Sequence, residues 1–310
     1  MDPYDVIIVG GGPAGLSAAL VLARCRRRVV VCDAGRPRNR SAQAMHGFLT
    51  RDGIDPMELL RLGREEIARY GVEFRPDVVA DARCEENQLV EVVLESGQIL
   101  RGRRLLLATG IVDVLPEIAG IEEYYGRSVW HCPYCDGWEH RDEPLAAYGG
   151  MREATGLALS LLSWTDRITV CTDGRTEVDE ECARRIKTHR FPLRTEKIVR
   201  LEGQDGRLER IIFESGEPLT CRGMFFNTGQ WQRSPLADKL GCCFDENGHV
   251  CTDARGRTGV CNLYLAGDAN GDVQFAIVAA GEGATTAATI HKDLQDEERA
   301  ADFERLRESG

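Results

Sequence analysis

The chain has 310 residues, of which 43% are hydrophobic and 29% charged, as is typical of a globular protein with a substantial core. Its formal net charge of -11 argues against general nucleic-acid binding, which needs clustered positive charge facing phosphates. No segment approaches the roughly 20 apolar residues that span a bilayer, and residues 1–5 lack the basic start of a signal peptide. We therefore expect a cytoplasmic protein without membrane or nucleic-acid partners, whose twelve cysteines are mostly free thiols.

The first motif is a dinucleotide-binding unit in residues 5–35. Its parts follow in chain order: an apolar strand (6–9), a glycine turn (Gly10, Gly12, Gly15), a helix (16–24) and a second strand (29–32) ending in Asp33. Gly10 permits the tight turn, Gly12 lets the backbone approach a pyrophosphate, and Gly15 lets the helix pack closely on the strand. The free N–H groups at the helix start favour an anion, and Asp33 can accept hydrogen bonds from an adenosine ribose.

Residues 145–174 align without a gap with residues 6–35 and predict a second unit of the same kind. This copy differs at three positions that matter for a dinucleotide. Met151 replaces the glycine of close approach, Ala154 the packing glycine and Thr172 the acidic residue. A methionine side chain is a poor fit where a pyrophosphate would lie against bare backbone, and no basic cluster follows the second strand to hold a 2′-phosphate. We therefore expect NADPH to bind weakly or not at all in the second unit.

Three later apolar segments complete the two units. Residues 105–110 (LLLATG) and 224–229 (MFFNTG) both end in Thr-Gly and predict the closing strands of two domains. Residues 263–268 (LYLAGD) predict a further strand, followed by a helix over residues 274–294. A strand that ends in Gly-Asp before a helix can place Asp268 against the ribityl or phosphate oxygens of a cofactor.

The order of these units predicts an α/β fold with two Rossmann-like three-layer domains, the second inserted in the first. Residues 1–114 and 245–295 are assigned to the first, cofactor-binding domain. Residues 115–244 are assigned to the inserted domain, which has the degraded nicotinamide motif. Residues 296–310 are mostly charged and predict a solvated helix or a frayed tail.

The stretch WHCPYCDGWE, residues 130–139, places Cys132 and Cys135 in a CxxC motif directly before Asp136. A structural zinc site usually needs two such pairs, so no metal is expected. A permanent disulfide across so short a loop removes little chain entropy, and the expected compartment is reducing. A reversible dithiol–disulfide beside a redox cofactor fits best, with one thiol of lowered pKa. Asp136 can give and take the proton that exchange requires, or it is an ordinary exposed aspartate in a turn.

Taken together, these motifs resemble the low-molecular-weight thioredoxin reductases and their relatives over the chain to about residue 295. The resemblance is carried by GGGPAG (10–15), ATG (108–110), CxxCDG (132–137) and AGD (266–268). CPYCDGWE in particular is similar to the branch that contains fungal and bacterial dithiol oxidases of the gliotoxin and holomycin type. Such enzymes are homodimers, so the resemblance also implies a homodimer here.

The resemblance implies FAD on the first domain. Its pyrophosphate would lie at Gly10, Gly12, Pro13, Ala14 and Gly15, its ribose near Asp33, and its remaining atoms near Thr109, Gly110, Gly267 and Asp268. By the family pattern Cys135 is the sulfur next to the flavin, Cys132 exchanges with the substrate, and Asp136 is the acid/base. One departure is Phe275, which stands where typical reductases place a glutamine at the flavin's pyrimidine edge.

The expected function is that of an FAD-dependent thiol–disulfide oxidoreductase. It would pass electrons between the flavin, the cysteine pair and an external dithiol or disulfide, with a thioredoxin-like protein or a small molecule as partner. One alternative is an O₂-dependent oxidase of small dithiols, and another is a non-catalytic flavin redox sensor. The electron donor stays open between NADPH, ferredoxin, a second flavin and the substrate dithiol itself.

Overall fold

The computed structural model describes residues 2–85, 88–175, 179–271 and 273–308. Met1 lies outside the described residues, and so do residues 309–310 at the end of the predicted tail. The strands of the described chain are β1 (Tyr4–Val9), β2 (Val29–Cys32), β3 (Glu73–Arg75), β4 (Val79–Cys84), β5 (Val90–Leu94), β6 (Ile99–Leu107), β7 (Ile111–Asp113), β8 (Val129–Trp130), β9 (Leu145–Gly149), β10 (Ile168–Cys171), β11 (Leu193–Arg194), β12 (Ile198–Gln204), β13 (Arg207–Phe213), β14 (Leu219–Thr220), β15 (Gly223–Asn227), β16 (Gln230–Gln232) and β17 (Leu263–Leu265). The α-helices are α1 (Pro13–Arg24), α2 (Pro56–Ala68), α3 (Ile121–Tyr124), α4 (Pro133–Asp136), α5 (Met151–Leu161), α6 (Glu180–His189), α7 (Leu236–Lys239) and α8 (Ala276–Glu308), with one 3-10 turn at Asp268–Asn270.

The first domain is built on a sheet in the order β3-β2-β1-β6-β5-β4, in which β17 also pairs with β6. Strands β2, β1, β6 and β17 are parallel, so their carboxyl ends meet at one edge of the sheet. Alternate side chains of β1 point to opposite faces, as strand geometry requires. Val6 and Ile8 enter the core under α1, α2 and α8, whereas Ile7 and Val9 enter the core on the other face.

The second domain is built on a parallel sheet in the order β11-β10-β9-β15-β8. Helices α5 and α6 pack on one face, and the antiparallel sheet β12-β13-β14 packs on the other. The predicted second unit is present as β9, α5 and β10. The predicted fold class, two Rossmann-like domains with the second inserted in the first, is confirmed.

The chain passes between the two domains through a two-stranded antiparallel ribbon formed by β7 and β16. Directly after β16, Leu236 and Ala237 of α7 are buried in the core of the first domain, together with Cys242. Because these apolar side chains belong to the first core, we propose that the chain returns to the first domain near residue 230. The sequence analysis places the end of the inserted domain later in the chain, at residue 244.

Helix α8 runs without interruption through residues 296–308, the described part of the predicted charged tail. Glu298 accepts hydrogen bonds from Arg27 at 2.5 Å and from Arg103 at 2.7 Å, so this part of the helix is tied to the first domain by ion pairs. None of the helices in the described part of the chain has the length and apolar character needed to cross a membrane.

Candidate active site

A deep cleft of about 530 Å³, here called the cofactor cleft, opens at the carboxyl ends of β1, β6 and β17. It extends from the first domain to the start of the second, where β8 and α4 form part of its wall. Nine of the ten predicted cofactor residues line it: Gly10, Gly12, Pro13, Ala14, Asp33, Thr109, Gly110, Gly267 and Asp268. The turns at Gly10 and Asp268, more than 250 residues apart in the sequence, therefore meet at one site.

Gly15, the tenth predicted cofactor residue, is not among the described residues that line the cleft. A Cβ atom added to Gly15 would collide with the backbone oxygen of Gly10 and lie 3.3 Å from Cγ2 of Ile8. The absent side chain thus lets α1 pack directly on the turn after β1. Gly15 therefore supports the glycine turn that lines the cleft.

The first glycine turn, residues 10–12, fits an anionic pyrophosphate. Gly10 has a φ of 109°, which L side chains rarely adopt. A Cβ on Gly12 would meet nothing within 4 Å, so the backbone there is open to a ligand. In the described structure no side chain caps the start of α1, which leaves its first N–H groups available to phosphate oxygens. These features fit FAD bound with its pyrophosphate at α1.

Two acidic residues stand where the adenosine and ribityl ends of FAD would lie. Asp33, at the end of β2, accepts a hydrogen bond from Arg64 at 3.0 Å. Asp268 follows Gly267, whose backbone N–H donates to Glu282 of α8 at 2.7 Å. Burial raises the pKa of Asp268, although the nearby Arg38 cation opposes that shift. Both carboxylates are therefore held in fixed positions on the wall of the cleft.

The cysteine pair lies where β8 passes into α4. Cys132 and Cys135 form a disulfide with their Cα atoms 5.3 Å apart. Trp130, the last residue of β8, is buried and packs on Phe225 with ring centroids 5.1 Å apart, so the strand that leads into the pair is anchored in the second core. Of the two sulfur-bearing residues, Cys135 lines the cofactor cleft, whereas Cys132 is not among the described residues that line it.

Asp136 lies next to Cys135 on the same wall of the cofactor cleft, and the pKa of its carboxyl group is shifted. Desolvation raises the pKa of Asp136 to about 7, the Glu139 carboxylate adds to this shift, and His46 opposes it. His46 also lines the cleft, with Nε2 3.5 Å from Glu139 and Nδ1 3.5 Å from Asp52. A carboxyl group with this pKa can either donate or accept a proton near neutral pH.

The structure reveals a polar network in the cleft that the sequence analysis missed. Arg38, in the loop after β2, donates to both carboxylate oxygens of Asp113 on β7, at 2.8 Å and 2.5 Å. The same guanidinium donates to Asp268 at 3.2 Å and to Gln274 at 2.8 Å. Burial alone would raise the pKa of Asp113, but the hydrogen bonds and charge of Arg38, together with His131 and Tyr125, hold that pKa below its usual value.

His131, which precedes the cysteine pair, faces the same network. Its Nδ1 atom lies 3.6 Å from Asp113. Burial and the Arg38 cation lower the pKa of His131 to about 4, against the opposing effect of Asp113. The imidazole is therefore neutral at physiological pH. The position of Asp113 at the end of a strand was the signal in the sequence that could have indicated this network.

The second glycine turn, residues 149–150, differs from the first in what covers it. Glu153, in the first turn of α5, folds back so that its Oε2 atom would collide with a Cβ on Gly150, and its own Cβ lies 3.0 Å from a Cβ on Gly149. A carboxylate thus lies directly against the second glycine turn. Met151, the first residue of α5, packs its side chain toward the second core.

Two further residues near the second turn are Thr172 and Arg152. Thr172, which replaces the acidic residue at the end of the second strand, is fully buried, and its hydroxyl has no hydrogen-bond partner among the described residues. Arg152, the cation nearest the turn in sequence, pairs with Asp179 at 2.8 Å. The hydroxyl of Thr172 is therefore withdrawn from the surface of the turn, and the charge of Arg152 is paired with a carboxylate.

Phe275 lies at the start of α8 and lines the cofactor cleft beside Gln274. Its ring is 6.3 Å from the ring of Tyr134 in α4, in an edge-to-face arrangement. Tyr134 and Trp138 are both largely exposed beside the cysteine pair. The rim of the cleft next to the disulfide is therefore aromatic.

Comparisons with known proteins agree with this site. A family model described as pyridine nucleotide-disulphide oxidoreductase matches residues 4–283. Thioredoxin reductase tcpT of Claviceps purpurea is 32% identical over 277 residues, which cover 85% of this chain and 86% of that protein. The crystal structure of HlmI matches with a TM-score of 0.95 at 34% identity, covering 99% of this chain and 97% of that chain. The putative thioredoxin reductase TrxB from Bacillus anthracis matches with a TM-score of 0.89 at 34% identity, covering 95% and 99%.

The predicted resemblance to thioredoxin reductase-like proteins is confirmed by these matches, and so is the prediction of an oxidoreductase that acts on disulfides. FAD binding follows at the level of the family, in agreement with the fit of the first glycine turn. With its two Rossmann-like domains and its CxxC disulfide, the chain belongs to the pyridine nucleotide-disulphide oxidoreductase family and is thioredoxin reductase-like.

Proposed function

We propose that the chain is an FAD-dependent thiol–disulfide oxidoreductase with weak or absent use of NADPH. Electrons pass between the flavin, the Cys132–Cys135 pair and an external dithiol or disulfide. The observation that carries this proposal is the presence of Cys135 and Asp136 on the wall of the same cleft as the first glycine turn. When bound there, FAD supplies reversible two-electron redox chemistry.

In the reducing direction, the Cys132 thiolate attacks one sulfur of the external disulfide, which forms a mixed disulfide and releases one thiolate. The Cys135 thiolate then attacks the Cys132 sulfur, which forms the Cys132–Cys135 disulfide and releases the second thiolate. Two electrons leave the pair, and one S–S bond forms for each that breaks. In the oxidising direction the same steps run in reverse.

Asp136 donates and accepts the protons of this thiol–disulfide exchange. Because its pKa is about 7, a sizeable fraction of the carboxyl is protonated near neutrality and can protonate a departing thiolate. In the opposite direction the ionised form can take the proton of an incoming thiol. His131, which directly precedes Cys132, is neutral and contributes no charge at this pH.

The proposed weakness toward NADPH rests on the second glycine turn. A dinucleotide pyrophosphate would have to displace the Glu153 carboxylate against charge repulsion and lie beside the Met151 side chain. A dinucleotide ribose would find Thr172 buried at the end of the second strand. Reduced ferredoxin, a second flavin or the substrate dithiol are the remaining candidate donors.

The same observation favours a second candidate function, an O₂-dependent oxidase of small dithiols. An enzyme that takes its electrons from a dithiol substrate needs no nicotinamide site. Electrons would then enter at Cys132, reach the flavin through Cys135 and leave to O₂ as peroxide. The exposed aromatic side chains of Tyr134 and Trp138 offer a surface for a small apolar dithiol beside the pair.

Anaerobic titration of the FAD-loaded protein tests the proposal. We expect dithiothreitol to bleach the flavin absorbance and NADPH at micromolar concentration to leave it unchanged. Bleaching by micromolar NADPH would contradict the proposal that NADPH is used weakly or not at all. Failure of every dithiol to bleach the flavin would contradict electron transfer through the Cys132–Cys135 pair. Steady oxygen uptake with small dithiols selects the oxidase, and its absence excludes it. A homodimer, which we also propose, is tested by light scattering of the same preparation.

A further inference from the structure

Two cysteines outside the cofactor cleft face each other across a β-hairpin. The backbone N–H of Cys251 donates to the carbonyl of Cys243 at 2.9 Å, and Phe244 and Val250 form the next antiparallel bridge. Asp245 N–H donates to His249 in the same ladder at 2.9 Å. Cys243 and Cys251 are thus directly opposite residues of an antiparallel pair, and their side chains lie on one face of the hairpin.

This arrangement has the dimensions that a disulfide needs. Directly opposite residues that share a backbone hydrogen bond have Cα atoms about 5.5 Å apart. Disulfides span Cα separations of roughly 4.4–6.8 Å. The neighbouring Cys243 side chain raises the pKa of Cys251, so the two thiol groups are close enough to interact. The Cα spacing typical of such a pair therefore falls within the range that a disulfide spans.

The hairpin is held in place by the first domain. Val250 N–H donates to the carbonyl of Ala269, in the turn that carries Asp268, at 3.0 Å. Gln232 of β16 donates to the carbonyls of Gly248 and Ala269 at 3.0 Å and 2.9 Å. The arm of the hairpin that leads to Cys251 is therefore anchored to the turn that carries Asp268.

The two thiols differ in access. Cys243 is exposed, whereas Cys251 is half-buried. An external reagent therefore meets Cys243 first. Cys251 is less accessible and harder to ionise, but it lies next to the sulfur of Cys243. This asymmetry suits an attacking thiol followed by a resolving thiol.

We propose that Cys243 and Cys251 form an auxiliary dithiol, distinct from the Cys132–Cys135 pair, which a low-molecular-weight disulfide such as oxidised glutathione converts to an intramolecular disulfide. The Cys243 thiolate attacks one sulfur of oxidised glutathione, forms a mixed disulfide and releases one glutathione thiolate, which takes up a proton. The Cys251 thiolate then attacks the Cys243 sulfur and releases the second glutathione. Two electrons pass from the protein to one oxidised glutathione, and the protein loses two hydrogen atoms.

Peptide mapping of the FAD-loaded full chain tests this inference. The protein is incubated with oxidised glutathione, unfolded in the presence of an alkylating reagent that caps its free thiols, and digested after Lys239 and Arg255. We expect the peptide of residues 240–255 to lose two hydrogen masses, with Cys242 as its one alkylated cysteine. Cleavage after Glu246 should then leave two fragments joined by the disulfide. Buried Cys242 is the internal control for non-specific pairing.

Single variants test the order of the two steps. Cys251→Ser should retain one glutathione on Cys243, because the resolving thiol is gone. Cys243→Ser should leave Cys251 free to be alkylated after unfolding. Recovery of both thiols free in the unsubstituted chain, or a lasting glutathione adduct on Cys243 without a disulfide, would overturn the proposal. Repeating the mapping with Cys132→Ser/Cys135→Ser separates this dithiol from the proposed redox centre, since the auxiliary pair should oxidise to the same extent there.

Discussion

Arg38 and Asp113 form a bidentate ion pair that joins the loop after β2 to the first strand of the interdomain ribbon. The two N–H···O contacts measure 2.8 Å and 2.5 Å, and the side chain of Asp113 is only 3% exposed. Tyr125 and Gln230 also donate to Asp113, both at 3.0 Å. Since Asp113 is the last residue of β7, the pair fixes the position at which the chain leaves the first domain relative to the cofactor cleft.

Removal of the guanidinium should therefore destabilise the protein. Arg38→Ala leaves the buried Asp113 carboxylate without its cation, which typically costs about 3–5 kcal/mol of unfolding free energy. Arg38→Lys should recover only part of this loss, because an ammonium does not bind both carboxylate oxygens in the same plane. Urea unfolding of the holoprotein measures the effect. Arg40→Ala, at an exposed position in the same loop, is the control, and an Arg38→Ala variant as stable as this control would contradict the assignment.

This pair also shows where prediction from the sequence stops. The first glycine turn and the CxxC–Asp motif were predictable because each is a local pattern in which neighbouring residues do one chemical task. Arg38 and Asp113 are 75 residues apart and meet only after β2 and β7 are assembled. Asp136 was identified as a candidate from its place after Cys135, but the upward shift of its pKa depends on burial and on Glu139, which only the folded structure provides.

The raised pKa of Asp136 predicts a signed pH dependence of stability. The folded-state pKa of about 7 lies above the usual aspartate value of about 3.9, so the folded protein binds the proton more tightly than the unfolded chain. The stability contributed by this proton is fully present at acidic pH and is lost as the pH rises through 7. Asp136→Asn, a neutral isostere, should match the parent near pH 4 and exceed it at pH 8 by roughly 2–4 kcal/mol, since one pKa unit is worth about 1.4 kcal/mol.

The same substitution should impair turnover. An asparagine cannot donate a proton to a departing thiolate, so disulfide exchange should slow by about 10²-fold or more, as is typical when a general acid/base is lost. In the unsubstituted enzyme the rate of disulfide reduction should fall above pH 7, as the acid form of Asp136 disappears. Stopped-flow exchange with a small disulfide measures both effects. An Asp136→Asn variant that kept the rate and the same pH profile would exclude Asp136 as the acid.

Cys135 lines the cofactor cleft and Cys132 does not, so we expect their serine variants to differ in the adducts they form. Both Cys132→Ser and Cys135→Ser should abolish steady-state turnover, because the pair can no longer close. In Cys135→Ser, the remaining Cys132 thiol should form a mixed disulfide with the substrate that persists for lack of a resolving thiol. In Cys132→Ser, the remaining Cys135 faces the cleft and should form much less of that adduct. Intact-protein mass spectrometry distinguishes the two, and equal trapping by both would contradict the assigned order.

The carboxylate over the second glycine turn predicts that donor use can be changed by removing it. Glu153→Gln eliminates the charge that opposes a pyrophosphate, and Met151→Gly restores the close-approach glycine. We expect the double variant to need at least about tenfold less NADPH for half-bleaching of the flavin than the parent, a gain of about 1.4 kcal/mol in binding free energy. Glu180→Gln, which removes an exposed carboxylate from the first turn of α6, should change nothing. The parent, the double variant and Glu180→Gln should all still be bleached by dithiothreitol. If all three also needed the same NADPH concentration for half-bleaching, steric fit and charge at this turn would not control NADPH binding, and the roles given to Glu153 and Met151 would be wrong.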